Sequence, residues 1–144
     1  FNCRMGDPET QPIMLRLKSD LFEIFELACA GTLDQAEIDW DRRTALGVVL
    51  AAANYPDTPK KGAVISGLVR HTERSEDCMV FHAGTALEGD KVVVNGGRVL
   101  CVTALGDSVK MAQRRAYQEA EGIRFEGMQF RRDIGHRAVA AKKP

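Results

Sequence analysis

Within nine residues at the start of the chain, Phe1-Asn-Cys-Arg-Met-Gly-Asp-Pro-Glu9, stand an amide, a guanidinium and two carboxylates. Such a set suits metal-bound phosphate. The Asn2 side-chain carbonyl is a hard oxygen ligand of the kind magnesium takes, Arg4 can grip a phosphate or carboxylate bidentately, and Asp7 can orient an amine. Gly6 and Pro8 supply the turn that carries them. By itself the same stretch also reads as an exposed polar turn ahead of a helix.

A second set lies near the other end. Arg131 and Arg132 leave an apolar stretch beside a turn containing Gly135, and two guanidiniums so placed suit a phosphate monoester. Between the two sets, Asn95-Gly-Gly-Arg98 reads as a hairpin turn in which Asn and Gly supply positive φ angles. The three histidines, His71, His82 and His136, have no nucleophile or acid beside them in sequence and are assigned no catalytic role. The four cysteines form no C-x-x-C pair, which favours reduced thiols over zinc or a disulfide framework. Cys29 and Cys101 fall on apolar patterns and read as small core residues.

The elements that must position these residues follow from periodicity and punctuation. Thr10 reads as an N-cap and 11–30 as one helix stopped by Gly31, with Met14, Leu17, Leu21, Ile24, Phe25 and Ala28 in an apolar stripe. Residues 32–43 form a polar connection around Trp40. Residues 44–53 are apolar without clean alternation, as in a strand covered on both faces, and 54–59 are a turn. A short strand is expected over 63–68 and a charged loop of no evident function over 70–77. Strands over 79–86 and 91–95 pair through a hairpin at 87–90, and a turn at 95–97 leads into a strand over 98–105, giving a three-stranded antiparallel meander. Asp107 or Ser108 caps a helix over 109–121 with Val109, Ala112, Ala116 and Ala120 on one face and Gly122 at its end. Residues 123–130 form a strand interrupted at Gly127, and 138–144 a frayed tail. The fold class is α+β, an antiparallel sheet packed with helices.

Five ordered stretches resemble one family. Asn2-Cys-Arg-Met-Gly-Asp-Pro-Glu-Thr-Gln-Pro12, Leu17-Lys-Ser-Asp-Leu21, Phe81-His-Ala-Gly-Thr85, Asn95-Gly-Gly-Arg-Val-Leu100 and Arg131-Arg-Asp-Ile-Gly135 are similar to the C-terminal part of the phosphoribosylamine-glycine ligases of the ATP-grasp superfamily. In that family a Glu stands just before the Phe-Asn pair and shares a magnesium ion with the Asn, whereas this sequence begins at Phe1. The resemblance therefore implies part of a longer enzyme, inactive without the remaining domains. It places residues 1–31 at the end of an ATP-grasp domain and 32–144 in a C-terminal α+β domain.

What the resemblance implies about activity is an ATP-dependent carbon–nitrogen ligase of purine biosynthesis. ATP phosphorylates the carboxylate of glycine, and the amine of 5-phosphoribosylamine attacks the glycyl phosphate, giving glycinamide ribonucleotide, ADP and phosphate. The carboxylate and the γ-phosphate repel each other, so cations must neutralise both before in-line transfer. On this resemblance Asn2 is a magnesium or manganese ligand and Arg4 stabilises the transferring phosphoryl group. Asp7 holds the ribosylamine, Gly96 and Gly97 approach the substrate, and Arg131 and Arg132 take its 5-phosphate, with Asp133 orienting one of them. The partners implied are the small substrates and the missing N-terminal domains.

Composition is consistent with this and excludes other classes. Lys plus Arg equals Asp plus Glu at 20 each, so no basic excess points to nucleic acid. The longest apolar runs, such as 45–53, are too short to cross a bilayer and no secretory signal is present, so a cytoplasmic protein with no membrane partner is expected. A chain of 144 residues can bury about 70% of its unfolded surface, enough for a core. Two other readings stay open: a sibling ATP-grasp ligase of purine synthesis, and an accessory binding or assembly domain without catalysis.

Overall fold

The longest strand, β5 (Arg98–Gly106), runs between β1 (Thr44–Ala51) and β2 (Cys78–His82), antiparallel to both. The computed structural model describes residues 3–68 and 75–140. β3 (Thr85–Glu88) and β4 (Lys91–Val94) form a separate two-stranded hairpin. The α+β class with antiparallel sheets holds, but the meander is only half present. The hairpin forms as expected, while β5 leaves β4 and inserts between β1 and β2.

The reason lies in backbone groups at the expected second turn. Asn95 N–H donates to Gly84 O, and the Gly97 carbonyl accepts from Ala52 N–H, so the polar groups of the Asn-Gly-Gly stretch serve other strands instead of closing a two-residue hairpin. Neither Gly96 nor Gly97 has a positive φ, contrary to the turn expected. Space is what they provide. A Cβ on Gly97 would lie 2.5 Å from the Tyr55 ring, and one on Gly96 would lie 2.9 Å from Gly84 Cα. The single strand expected over 79–86 accordingly breaks into β2 and β3 where Gly84 N–H donates to Arg98 O.

Each face of the three-stranded sheet has its own role. Leu46, Val48 and Leu50 of β1 stand opposite Ala104, Val102 and Leu100 of β5, and all six are buried in the core. Helix α3 (Val109–Ala120) covers this face with Ala112, Ala116 and Ala120, whose small side chains allow close approach. Each fully buried Val, Leu or Ile here contributes roughly 1.5–3 kcal/mol. Ser108 caps α3 as expected, its hydroxyl accepting from Met111 N–H at 3.3 Å. The opposite face carries Gly47 and Val49 against Thr103 and Cys101, and helix α1 (Thr10–Arg16) rests on it with Pro12 near Gly47.

The single helix expected over 11–30 is two. α1 ends at Arg16 and α2 (Leu21–Ala30) starts after Asp20, whose carboxylate accepts from Phe22 N–H at 2.8 Å. Between them the chain is extended: Lys18 N–H donates to Asp39 O, Asp41 N–H donates to Arg16 O, and the Ser19 hydroxyl accepts from Asp39 N–H. Ser19-Asp20 was the sequence signal for this break, since both side chains compete for backbone groups and favour caps. Thr10 is the first helical residue and Glu9 the cap position. Among the described residues no apolar side chain before Leu46 joins the core, and Phe22, Phe25 and Cys29 are exposed, so Cys29 is not the core residue expected. Cys101 is.

Residues 63–68 and 123–130 do not make strands. Single bridges join them to the sheet edges, Val64 to Val93 and Gln129 to Ala51, and to each other, Ser66 to Arg124. α4 (His136–Ala140) occupies the start of the expected tail. Residues 69–74, which cover most of the expected charged loop, residues 141–144 and Asn2 lie outside the described residues. At the end of that loop Asp77 has a structural role, pairing with Arg43 and with Arg115 at 2.9 Å. Among the described residues no helix is long and apolar enough to cross a membrane.

Candidate functional site

β1 alternates along its length, and that alternation makes a floor. With even-numbered residues in the core, Gly47, Val49 and Ala51 face the other way and line a cavity of about 470 Å³. This lies within the range of roughly 300–1,000 Å³ usual for small-ligand sites. Pro8 and Arg98 border it, as do Tyr55, Gln129, Phe130, Arg131 and Ile134. A turn of the opening motif, the start of β5 and the segment after α3 thus meet over one strand.

Arg98 reaches this cavity because of a bulge. Pairing runs regularly from Thr44 with Gly106 to Leu50 with Leu100, then shifts so that Ala51 stands opposite Arg98 and Val99 has no partner on β1. Simple alternation would put Arg98 on the core face with Leu100, Val102 and Ala104. A one-residue slip reverses faces, so Arg98 shares the cavity face with Ala51 while Val99 is fully buried in the core. The Arg98 side chain then ties down the opening motif: its Nη1 donates to Asp7 O at 2.7 Å and its Nε lies 3.2 Å from Asp7 Oδ2. Gln11 Nε2 donates to Asp7 Oδ1 at 2.8 Å, so both carboxylate oxygens of Asp7 are engaged.

The far wall is held by α3. The Tyr117 hydroxyl donates to Arg131 O at 2.7 Å and accepts from Ile134 N–H at 3.1 Å, and Gln113 Nε2 donates to Ile134 O at 2.7 Å. These bonds pin the turn from Arg131 to Ile134 onto a helix that is itself anchored in the core. Arg131 makes a two-pronged pair with Asp133, at 2.9 Å and 2.7 Å, which raises the guanidinium pKa and lowers that of the carboxylate. This is the orienting contact expected for Asp133. Arg132 lies differently. Its guanidinium carbon sits 5.0 Å from the Phe130 ring centroid and Nη1 3.7 Å from Glu121, and it does not border the cavity.

Of the other residues singled out in the sequence, Arg4 is exposed and donates to its neighbour's carbonyl, Met5 O, at 3.2 Å. Gly96 and Gly97 stand behind the cavity: Gly97 packs on the Tyr55 ring and Gly96 on Gly84. Gln129 joins the walls by donating to Ala52 O at 2.9 Å and Tyr55 O at 3.0 Å. Tyr55, Gln129, Phe130 and Tyr117 were not singled out, and only the Tyr-Pro turn carried any signal. Beside Gly47 on the same face of the sheet, burial pushes the Cys101 thiol pKa up, and Sγ lies 3.5 Å from the Thr103 hydroxyl.

A second cavity, about 530 Å³, is bordered by Arg16, Trp40, Arg42 and Arg43. Its arginines serve mainly the fold. Arg16 donates through Nε and Nη2 to Asp41 O, and Arg43 bonds both Asp41 and Asp77, holding the Asp41 carboxyl well below the usual carboxylate range.

Comparison with known proteins bears on both the chain and its extent. A family model described as phosphoribosylglycinamide synthetase, C domain, matches residues 45–137. The chain is 61% identical over 139 residues to a phosphoribosylamine–glycine ligase of Ralstonia nicotianae, covering 96% of this chain and 32% of that protein. It is 59% identical over 143 residues to one of Vibrio cholerae, covering 99% and 33%. The crystal structure of phosphoribosylamine–glycine ligase from Thermotoga maritima superimposes with a TM-score of 0.70 at 38% identity, over 92% of this chain and 32% of that one. The chain therefore spans about a third of the length of these relatives.

Proposed function

The chain belongs to the phosphoribosylglycinamide synthetase C-domain family, and from that premise we propose that it is the C-terminal part of an ATP-dependent ligase joining glycine to 5-phosphoribosylamine. The observation that carries the reading is the meeting of the opening motif and the Arg131 turn at one cavity: Pro8, Arg131 and the Asp7-binding Arg98 all border it. In the proposed reaction ATP phosphorylates the glycine carboxylate and the ribosylamine attacks the glycyl phosphate, releasing ADP and phosphate as glycinamide ribonucleotide forms.

In this reading the sugar phosphate enters the cavity over β1, whose Gly47 and Ala51 leave room for the ribose ring. Arg131, oriented by Asp133, takes the 5-phosphate by charge-assisted hydrogen bonds, with Arg132 beside it at the rim. Asp7 faces the amine end. Its oxygens are already engaged, but each carboxylate oxygen has a second lone pair for the substrate ammonium or a hydroxyl. Arg4, exposed and bonded only locally, is free to meet the phosphoryl group in transfer. Gly96 and Gly97 act by keeping Tyr55 and the strand crossing close.

A divalent ion asks for several hard donors. Among the described residues no three His, Cys, Asp or Glu side chains gather around one point, and the roles above are given to the chain's own side chains. The assignment of magnesium or manganese to Asn2 rests on the resemblance alone. ATP is assigned to the two-thirds of the enzyme with which this chain works, in the cytoplasm. The division at residue 31 into the end of an ATP-grasp domain and a C-terminal domain is supported by the absence, among the described residues, of any apolar core side chain before Leu46.

The test uses the full-length enzyme. Phosphate release should require ATP, glycine and phosphoribosylamine together, and Arg131→Ala or Asp7→Ala should cut turnover at least tenfold with normal folding. Full activity in both variants would show that this domain only supports assembly.

A further inference from the structure

We infer that Arg98 is the second guanidinium of the sugar-phosphate site, acting across the cavity from Arg131. The inference rests on the site assignment above and adds a residue to it. Ala51 is the reference point: it pairs with Arg98 on one side and with Gln129 on the other. Neighbouring strands lie about 4.8 Å apart, so Arg98 and Gln129 flank β1 with about 10 Å between their backbones. Arg131 follows Gln129 by two residues, and both arginines border the cavity while Arg132 does not.

Donor accounting supports the same conclusion. A guanidinium has five N–H donors. Arg98 donates through Nη1 to the Asp7 carbonyl and holds Nε 3.2 Å from Asp7 Oδ2 as an ion pair, and Nη2 makes no hydrogen bond to another described residue. Arg131 likewise commits Nε and Nη2 to Asp133. Each arginine is thus oriented by a carboxylate and retains N–H groups for a ligand. Two such groups on opposite walls, over an apolar floor of Gly47, Val49 and Ala51, suit a phosphate monoester carried on a small sugar.

The bulge is what makes the arrangement specific. A regular β5 would turn Arg98 into the core face, where an arginine could not be solvated, and would bring Val99 to the cavity. The same contact couples the ends of the site, because the residue proposed to grip phosphate also holds the Asp7–Pro8 turn.

Full-length enzyme carrying Arg98→Met, Arg98→Gln, Arg131→Met, Arg132→Met or Asp7→Asn distinguishes the possibilities, with folding checked by circular dichroism. The readouts are ribose 5-phosphate binding by calorimetry and KM for each substrate. Arg98→Met and Arg98→Gln should weaken ribose 5-phosphate at least tenfold and raise KM for phosphoribosylamine, with KM for glycine and ATP within about twofold. Arg132→Met should change binding less than threefold. Wild-type binding in both Arg98 variants, with loss in Arg131→Met, would overturn the role of Arg98 and leave the site standing. Arg98→Met that adds no further loss to Asp7→Asn in the double variant would also overturn it, reducing Arg98 to a brace for Asp7. Unchanged binding in every variant would remove the site itself.

Discussion

Tyr117→Phe removes one oxygen from a helix packed on the far side of the fold and should be felt at the cavity. The hydroxyl donates to Arg131 O at 2.7 Å and accepts from Ile134 N–H at 3.1 Å. Each neutral hydrogen bond contributes about 1 kcal/mol net, and loss of the second leaves a partly buried N–H without its partner. Water reaches the Arg131 end, so the expected loss is about 1–2 kcal/mol rather than the full sum of two bonds and a desolvation penalty. The ring remains, so its tilted contact with Phe130 at 6.2 Å persists, and Gln113 still holds Ile134 O. In a domain of this size 1 kcal/mol moves Tm by roughly 2–4 °C, so thermal unfolding of the 144-residue chain should shift down by about 2–8 °C. In the full-length enzyme the Arg131 turn loosens without losing charge, so KM for phosphoribosylamine should rise about 3–10-fold while kcat stays within twofold. A variant with unchanged Tm and unchanged KM would refute the idea that α3 sets the position of Arg131.

Two further predictions concern titration and thiols. Arg43 holds the Asp41 carboxyl well below the usual carboxylate range, by side-chain and backbone hydrogen bonds. A depressed folded pKa contributes stability above the unfolded value of about 3.9 that is lost as pH falls below it. Asp41→Asn should therefore lower the urea midpoint at pH 7, and its difference from the parent should shrink below about pH 4; a constant difference would show that the pair does not contribute through charge. Cys3 and Cys29 are exposed, whereas Cys101 is buried with its thiol pKa raised by burial. A thiol reagent at neutral pH should label Cys3 and Cys29 in the native chain and Cys101 only after unfolding, as mapped by mass spectrometry. Native labelling of Cys101 at the rate of Cys29 would contradict the packing of Cys101 beside Gly47.

Much of the secondary structure was legible because local signals and tertiary environment agree. The helix over 109–121 has a Ser cap, small residues at helical spacing and a terminal Gly, and it packs with those small residues inward. The hairpin at 87–90 was equally plain. Misreadings arose where local pattern and long-range partner differ. The apolar stripe over 14–28 looked continuous, but Leu17 bridges to Trp40, and pairing with a segment 23 residues away breaks the helix. Asn-Gly-Gly looked like a hairpin because positive φ is the commonest reason for such a triplet, whereas here the glycines make room for Tyr55 and Gly84.

The sequence by itself determined the family, through ordered motifs, and the chemistry on offer, through the residue types in the opening stretch and at Arg131-Arg132-Asp133. Both are local in the chain, so no fold is needed to see them. Only the tertiary structure decided which arginines share a cavity. That choice turns on a single shift in register between Leu50 and Ala51, which sends Arg98 to the site and Val99 to the core. Side chains alternate with a period of two, so one inserted residue reverses a face, and the pairing of strands some 50 residues apart carries no local mark in either.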